Sequence, residues 1–163
     1  MDRAKLDALC DDIFGKGDEP IATVASRAAV HPEALPIVWE GDATTFQFTY
    51  VSPNAEGVLG YPVARWHEPG FWAERVVHPD DRNEAVAYCA LATAKKAHHE
   101  FEYRAVRADG TVIWLLDVVR VVLGRRGVPE RLRGLMFELG PVAERPSQLR
   151  VRPTHAELEG LQG

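Results

Sequence analysis

The run TVIWLLDVVRVVL at residues 111–123 most constrains the fold, because it is apolar at nearly every position. A strand with one face in water alternates apolar and polar side chains, whereas a strand covered on both faces is apolar throughout. The run therefore predicts a strand that is covered on both sides. Asp117 interrupts it, and alternation places Asp117 on the same face as Ile113, Leu115 and Val119.

The segments around this run predict the rest of a sheet. HHEFEYRAVR at 98–107 alternates and is followed by the tight-turn signal ADG, and RLRGLMFEL at 131–139 has the composition of a last strand. Two earlier strands are predicted at LPIVWE and at FQFTYVS, where Phe46, Phe48 and Tyr50 alternate to one face. Helices precede and separate these strands, so the order of elements predicts an α+β fold.

An amphipathic helix is predicted at residues 2–14, with Asp2 as its N-cap and Gly15 as its stop. A weaker helix is predicted at 20–30, and a longer one from Pro79 to about Ala97. We therefore divide the chain into a helical cap at 1–34, a main domain at 35–140 and a Pro-rich linker with a short C-terminal helix at 141–163. A capping box of Thr154 and Glu157 would begin that last helix.

Composition excludes several classes of protein. The net charge of −5 argues against a nucleic-acid partner, which needs a basic face. No stretch has the 18 or so apolar residues of a membrane span, and the charged N-terminus lacks the apolar core of a secretory signal. Cys10 and Cys89 fit a reducing compartment and neither belongs to a C-x-x-C pair, so we expect a cytoplasmic protein.

The segment VVHPDDRNE at 76–84 contains a histidine and two aspartates within four residues. Such residues can bind a metal or transfer a proton, and His78 with Asp80 or Asp81 would be the acid/base pair of a small enzyme. Pro79 and the two aspartates are also typical of a helix start, which favours negative charge. We interpret the segment as a helix start with His78 as a cap, and predict no catalytic residues and no metal site.

Four motifs in this order resemble the PAS family: FTYVSPNAEGVLGYP, FWAERVVHPDDRNEAV, FEYRAVRADGTVIWLLD and RLRGLMFEL. They are most similar to the bacterial sensory branch with HPDDR and EYR-DG-W signatures, and they cover residues 35–139. The resemblance implies a five-stranded antiparallel sheet with helices over one face. It also implies a small cavity between sheet and helices.

The resemblance further implies a sensory module that binds a small ligand and signals through dimerisation or through an effector such as a histidine kinase. A dimerisation or docking module without ligand is the alternative. PAS domains that drive kinases usually end in a DIT tripeptide, whereas this chain has Glu138, Leu139 and Gly140 followed by Pro141. The identity of the ligand, the effector and the output is left open.

Haem and flavin are the two cofactors to weigh. Haem sensors of the family take a histidine from the long helix, but His98 and His99 fall after it. The reactive cysteine run of the light-sensing branch is replaced by FWAERVVHP, although Trp66, Trp72 and Trp114 are able to stack on a non-covalent flavin. We expect these aromatic residues to fill the core.

Asp117 needs a partner, since burial of an isolated charge is costly. We expect Arg104 or Arg133 across the sheet, with a ligand-orienting role for Asp117 as the alternative. Residues placed at the ligand cavity by alternation and by the family layout are Phe48, Tyr50, Trp72, Cys89, Phe101, Tyr103, Leu115, Asp117 and Met136.

The N-terminal helix carries an apolar stripe that a lone helix of this length could not keep in water. We expect it to cover the outer face of the sheet and to pair with its copy in a homodimer. The residues predicted at this interface are Leu6, Leu9, Ile13, Phe14, Trp114, Leu116 and Val118.

Overall fold

The computed structural model describes residues 2–141 and the backbone of a short strand at Arg150–Arg152. In chain order its elements are α1 (Arg3–Phe14), α2 (Ile21–Ala29), β1 (Ile37–Asp42), β2 (Phe48–Val51), α3 (Ala55–Leu59), α4 (Val63–Trp66), a π-helical turn (Trp72–Val76), α5 (Arg82–Ala94), β3 (His99–Val106), β4 (Val112–Leu123), β5 (Pro129–Pro141) and β6 (Arg150–Arg152).

The strands form one antiparallel sheet in the order β2-β1-β5-β4-β3-β6. Its first five strands are those predicted, and the α+β fold is confirmed. The sixth, β6, pairs with β3 and falls inside the range predicted as linker. The helix predicted to begin at Thr154 lies outside the described residues.

Strand β4 separates two hydrophobic clusters, as its composition predicts. Odd-numbered positions such as Leu115 and Val119 face an inner core beneath α3, α4, the π-helical turn and α5. Even-numbered positions such as Leu116 and Val118 face an outer cluster with the two N-terminal helices. Both faces of β4 are therefore covered within one chain.

Helix α1 begins and ends where the sequence predicts. The side chain of Asp2 accepts a hydrogen bond from the backbone N–H of Lys5 at 2.8 Å, and Gly15 ends the helix with φ of 63°. Arg120 of β4 fastens the helix, since its guanidinium bonds Asp11 at 2.7 Å and stands 4.7 Å from the Phe14 ring centroid. Arg3 bonds Glu100 of β3 in the same way. The helix is the lid of the outer face.

Strand β2 departs from the predicted alternation. Glu40 pairs with Tyr50, but Gly41 pairs with Phe48, so Thr49 is an extra residue in a bulge. A bulge sends the residues on its two sides to opposite faces. Phe48 consequently packs in the inner core, whereas Tyr50 packs against the outer cluster.

Helix α5 begins at Arg82 and ends at Ala94, three residues inside the predicted limits at each end. Residues 79–81 form turns instead of a first helical turn. In the described part of the chain, no helix is long and apolar enough to cross a membrane.

Candidate functional site

A small cavity lies in the inner core between the sheet and the helices that cover it. Its volume is about 20 Å³, which is room for one or two waters. The residues around it are Trp39, Gly41, Asp42, Phe46, Phe48, Trp72, Cys89, Phe101, Asp117, Val119 and Leu132. The cavity is therefore mostly apolar, and Asp117 is the buried carboxylate in its lining.

Asp117 accepts two hydrogen bonds, one on each carboxylate oxygen. The indole N–H of Trp39 donates to Oδ1 at 3.0 Å, and the hydroxyl of Tyr103 donates to Oδ2 at 2.8 Å. The indole N–H of Trp72 in turn donates to the Tyr103 oxygen at 3.0 Å. Two donors, from β1 and β3, thus bond the carboxyl group on β4 directly. A third, from the π-helical turn, bonds the Tyr103 hydroxyl and acts through it.

Burial has the largest effect on the pKa of Asp117 and raises it to about 7. The hydrogen bonds from Tyr103 and Trp39 act in the opposite direction and lower this pKa. Burial, followed by the charge of Asp117, also raises the pKa of Tyr103 well above its ordinary value. Tyr103 is therefore a neutral donor to Asp117 at physiological pH.

The arginines predicted to pair with Asp117 point to the other face of the sheet, so that prediction is wrong. Alternation along β3 sends Arg104 away from Tyr103, and its guanidinium bonds Asp81. Arg133 bonds Glu40 at 2.7 Å on the outer side. Asp117 relies on hydrogen bonds from neutral aromatic side chains instead.

Trp39 reaches Asp117 because Gly134 on the intervening strand β5 has no side chain. Trp39 and Gly134 are register partners, and a Cβ at Gly134 would stand 2.1 Å from Cε2 of the indole. Sequence reasoning missed both residues. The available signal was a glycine inside an otherwise apolar strand, which often marks a close approach.

Cys89 on α5 forms a second polar contact beside the cavity. Nδ1 of His99 lies 2.9 Å from the carbonyl oxygen of Ala97, which only accepts, so Nδ1 carries a hydrogen. Nε2 lies 3.4 Å from Sγ of Cys89. Burial, with a smaller effect of Asp117, raises the pKa of Cys89 to about 12, so this group is a protonated thiol.

The HPDDR segment at residues 78–82 links the π-helical turn and the start of α5 to strand β3 by hydrogen bonds. Asp81 accepts hydrogen bonds from the backbone N–H and from Nε of Arg104, both at 2.9 Å. Burial alone would raise the pKa of Asp81, but the bonds from Arg104 outweigh it and lower that pKa. Arg82 donates to the carbonyl of Ala73 at 2.6 Å, at the π-helical turn.

His78 accepts a hydrogen bond on Nδ1 from the backbone N–H of Asp80 at 3.1 Å, so it caps a turn that precedes the helix. The residue at the N-cap position of α5 is Asp81, whose side chain makes no capping bond. Among the described residues, no group of three His, Cys, Asp or Glu side chains is placed to hold a metal ion.

The structure brings most of the predicted ligand residues together, but not all. Five border the cavity: Phe48, Trp72, Cys89, Phe101 and Asp117. Tyr103, Leu115 and Met136 lie in the same inner core without bordering it. Tyr50 is on the outer side because of the bulge in β2.

The residues predicted for a dimer interface are mostly buried within the chain. Leu6, Ile13 and Phe14 pack with Leu116 and Val118 in the outer cluster, and Leu9 is partly buried there. Trp114 is fully buried, with the guanidinium of Arg104 6.0 Å from its ring centroid. The stripe of α1 covers its own sheet, and the homodimer stays a prediction.

Comparison with known proteins agrees with this architecture. The family model described as PAS fold matches residues 48–136. The N-terminal domain of a diguanylate cyclase with PAS/PAC sensor from Marinobacter aquaeolei is 36% identical, with a TM-score of 0.61, 64% of this chain covered and 95% of that one. No curated protein matches the chain significantly.

Two further structures share the fold at lower identity. The PAS domain of the fruit-fly ELK potassium channel has a TM-score of 0.61 at 16% identity, covering 76% of this chain and 99% of that one. A sensory box histidine kinase/response regulator from Burkholderia thailandensis has a TM-score of 0.55 at 21% identity. The match covers 69% of this chain and 82% of that one.

The matched family model and the shared fold support a module of the signal-transduction class. The chain belongs to the PAS family.

Proposed function

We propose that this PAS domain is a ligand sensor, in which the inner cavity binds a small molecule and the outer face passes the change to a second subunit or an effector. The observation that supports the proposal most is Asp117, a buried carboxylate at the edge of an apolar cavity with donors arranged around it. A polar group in such a place is typical of a site that orients a ligand.

The size of the cavity supports a second candidate, a docking module without ligand. A volume of about 20 Å³ holds one or two waters, so a haem or a flavin would fit only if several aromatic rings moved aside. If the rings keep these positions, the core is filled by its own side chains. The two candidates differ in whether anything enters the cavity.

For the relay, we propose a route through α1. The predicted homodimer is compatible with the buried stripe if each α1 packs on the sheet of the other subunit, since the same side chains are then covered. An effector that binds the exposed side of α1 would use the same element. In both routes, the output of the domain is a change in how α1 is attached to the sheet.

Native mass spectrometry of the purified protein tests ligand binding, together with a variant that fills the cavity. We expect a small non-covalent adduct on the wild type that is lost in Val119→Leu, because Val119 borders the cavity. Val121→Leu is the matched control, since Val121 lies on the same strand and in the same core but does not border the cavity.

An adduct that is present on the wild type and on Val121→Leu, but absent from Val119→Leu, supports the sensor function. Absence of any adduct, together with no change in melting midpoint when a metabolite extract is added, overturns the sensor in favour of the docking module. An adduct with visible absorbance would identify a haem or a flavin.

A further inference from the structure

The chemistry of Asp117 narrows the class of ligand, provided that the proposed sensor function holds. Each oxygen of its carboxylate accepts one hydrogen bond and has a further acceptor position. The indole N–H of Trp39 can only donate. The hydroxyl of Tyr103 already accepts from Trp72, so its own hydrogen points to Asp117. This arrangement suits an ionised carboxylate.

Within the described residues, the charge of this carboxylate has no cationic partner. Arg104 bonds Asp81 and Arg133 bonds Glu40, and both arginines point away from the cavity face of the sheet. His99 has Nδ1 at the Ala97 carbonyl and Nε2 at the Cys89 sulfur. A buried charge held by neutral donors alone is costly, and a bound cation would offset that cost.

Aromatic rings make up much of the remaining lining. Phe48 and Trp39 meet edge-on with centroids 5.5 Å apart, and Phe46 and Trp72 do so at 6.3 Å. Phe101 lies next to Trp72, with centroids 6.2 Å apart. Rings carry negative charge on their faces and attract a cation within about 6 Å. An anion would be repelled by Asp117, and an apolar ligand would leave its charge unbalanced.

We propose that the cavity binds a small ammonium-type cation, with its N–H groups on Asp117 and its charge against the aromatic rings. The cavity volume of about 20 Å³ limits the ligand to the size of ammonium or methylammonium unless Phe46, the partly buried ring, moves. Charge and size thus define one chemical class.

The test is titration with ammonium chloride and methylammonium chloride at constant ionic strength, with sodium chloride as the replaced salt. The pH is set one unit above the Asp117 pKa of about 7. The indole N–H signal of Trp39 in ¹H–¹⁵N NMR reports on the site, because that N–H bonds Asp117. We expect a saturable shift of this signal, and a melting midpoint raised by about 3 °C at ten times the Kd.

Two further compounds and three variants make the test specific. Methanol matches methylammonium in size without its charge, and sodium formate supplies an anion. Asp117→Asn removes the charge in the cavity, and Asp18→Asn makes the same change at an exposed site. We expect the response to vanish in the first variant and to persist in the second. Phe46→Leu keeps an apolar side chain but removes a ring, and we expect about threefold weaker binding.

A saturable response to methylammonium that Asp117→Asn abolishes supports the cation. A response to methanol or formate instead, or a cation response that survives in Asp117→Asn, overturns it while the sensor function stands. No response to any of these compounds also overturns it, and the adduct mass then decides the sensor function separately. Should Asp117→Asn fail to fold, Phe46→Leu and the comparison of methylammonium with methanol give the decision.

Discussion

The indole of Trp39 on β1 packs directly on the backbone of Gly134 on β5, so closely that a Cβ at Gly134 would stand 2.1 Å from the indole Cε2. The absence of a side chain at this one position lets Trp39 extend across β5 and donate to Asp117 on β4. The polar network of the cavity thus depends on a glycine that makes no hydrogen bond to it.

Gly134→Ala should destabilise the fold by about 3 kcal/mol, because overpacking of a filled core forces side chains and backbone to shift. Urea unfolding measures the loss, and the Trp39 indole signal in NMR should move away from its hydrogen-bonded position. Gly57→Ala on α3 is the control, since a Cβ there meets nothing within 4 Å and favours the helix. Equal stability of the two variants would contradict the packing of Trp39 on Gly134.

Asp117 should make the protein less stable as the pH rises from about 4 to about 7. Its carboxyl titrates near 3.8 when unfolded and near 7 when folded, so within this window the folded chain holds a proton that the unfolded chain lacks. Stability therefore falls with increasing pH and levels off above 7, a change on the order of 4 kcal/mol. Cys89, whose pKa is raised to about 12, does not titrate in this window.

The measurement is urea unfolding of the wild type and Asp117→Asn over this pH range. Other carboxyl groups contribute to both proteins, so the difference between the two curves isolates Asp117. Its slope should be negative between pH 4 and 7. A difference that does not vary with pH would show that Asp117 has an ordinary pKa in the fold.

Asp81 and His78, three residues apart in the HPDDR segment, should differ sharply in their importance. Asp81→Ala leaves the guanidinium of Arg104 without its buried partner, and should cost about 3 kcal/mol. His78→Ala removes one bond in a turn and should cost at most about 1 kcal/mol. Thermal and urea unfolding measure both, with Asp80→Ala as the exposed control.

The same variants test the structural role of the segment against a metal site. Elemental analysis should show no stoichiometric metal that depends on His78. Loss of such a metal in His78→Ala would refute the turn-capping role.

Deletion of residues 1–17 should expose the outer face of the sheet and cause aggregation or a new oligomer. The apolar side chains then uncovered are Val38, Leu116, Val118, Leu135 and Phe137. Exposed patches of this kind associate in water. Light scattering measures the oligomeric state of the full-length and the truncated protein, and an unchanged state would show that α1 neither covers the face nor forms the interface.

Ile13→Asp should reproduce the effect of the deletion with a single charge, since Ile13 is fully buried in the outer cluster. Ala8→Asp places the same charge on the exposed side of α1 and should leave the oligomeric state unchanged.

The composition of β4 allowed us to predict that both faces of the sheet are covered, because a run that is apolar at nearly every position is a local property of the sequence. The partners of Asp117 could not be predicted in this way. Trp39 is 78 residues away and reaches Asp117 across a third strand. That contact depends on the register of three strands and on a missing side chain, and none of these is visible in a local pattern.

The error at Tyr50 has a similar cause. The bulge at Thr49 inserts one residue in β2, and a period of two then assigns the wrong face to everything beyond it. The cap at Asp2 and the stop at Gly15 were predictable, because helix ends are set by residues within one turn.

The alternation of β4 also determines how near the cavity and the outer face of the sheet are to each other. Asp117 faces the cavity, and its chain neighbours Leu116 and Val118 form part of the surface on which α1 rests. In the proposed sensor, a movement of this strand that follows a change at the carboxylate would reach α1 through adjacent peptide units. The proposed input and the proposed output are then separated by a single pleated strand, so this route would need no long mechanical linkage.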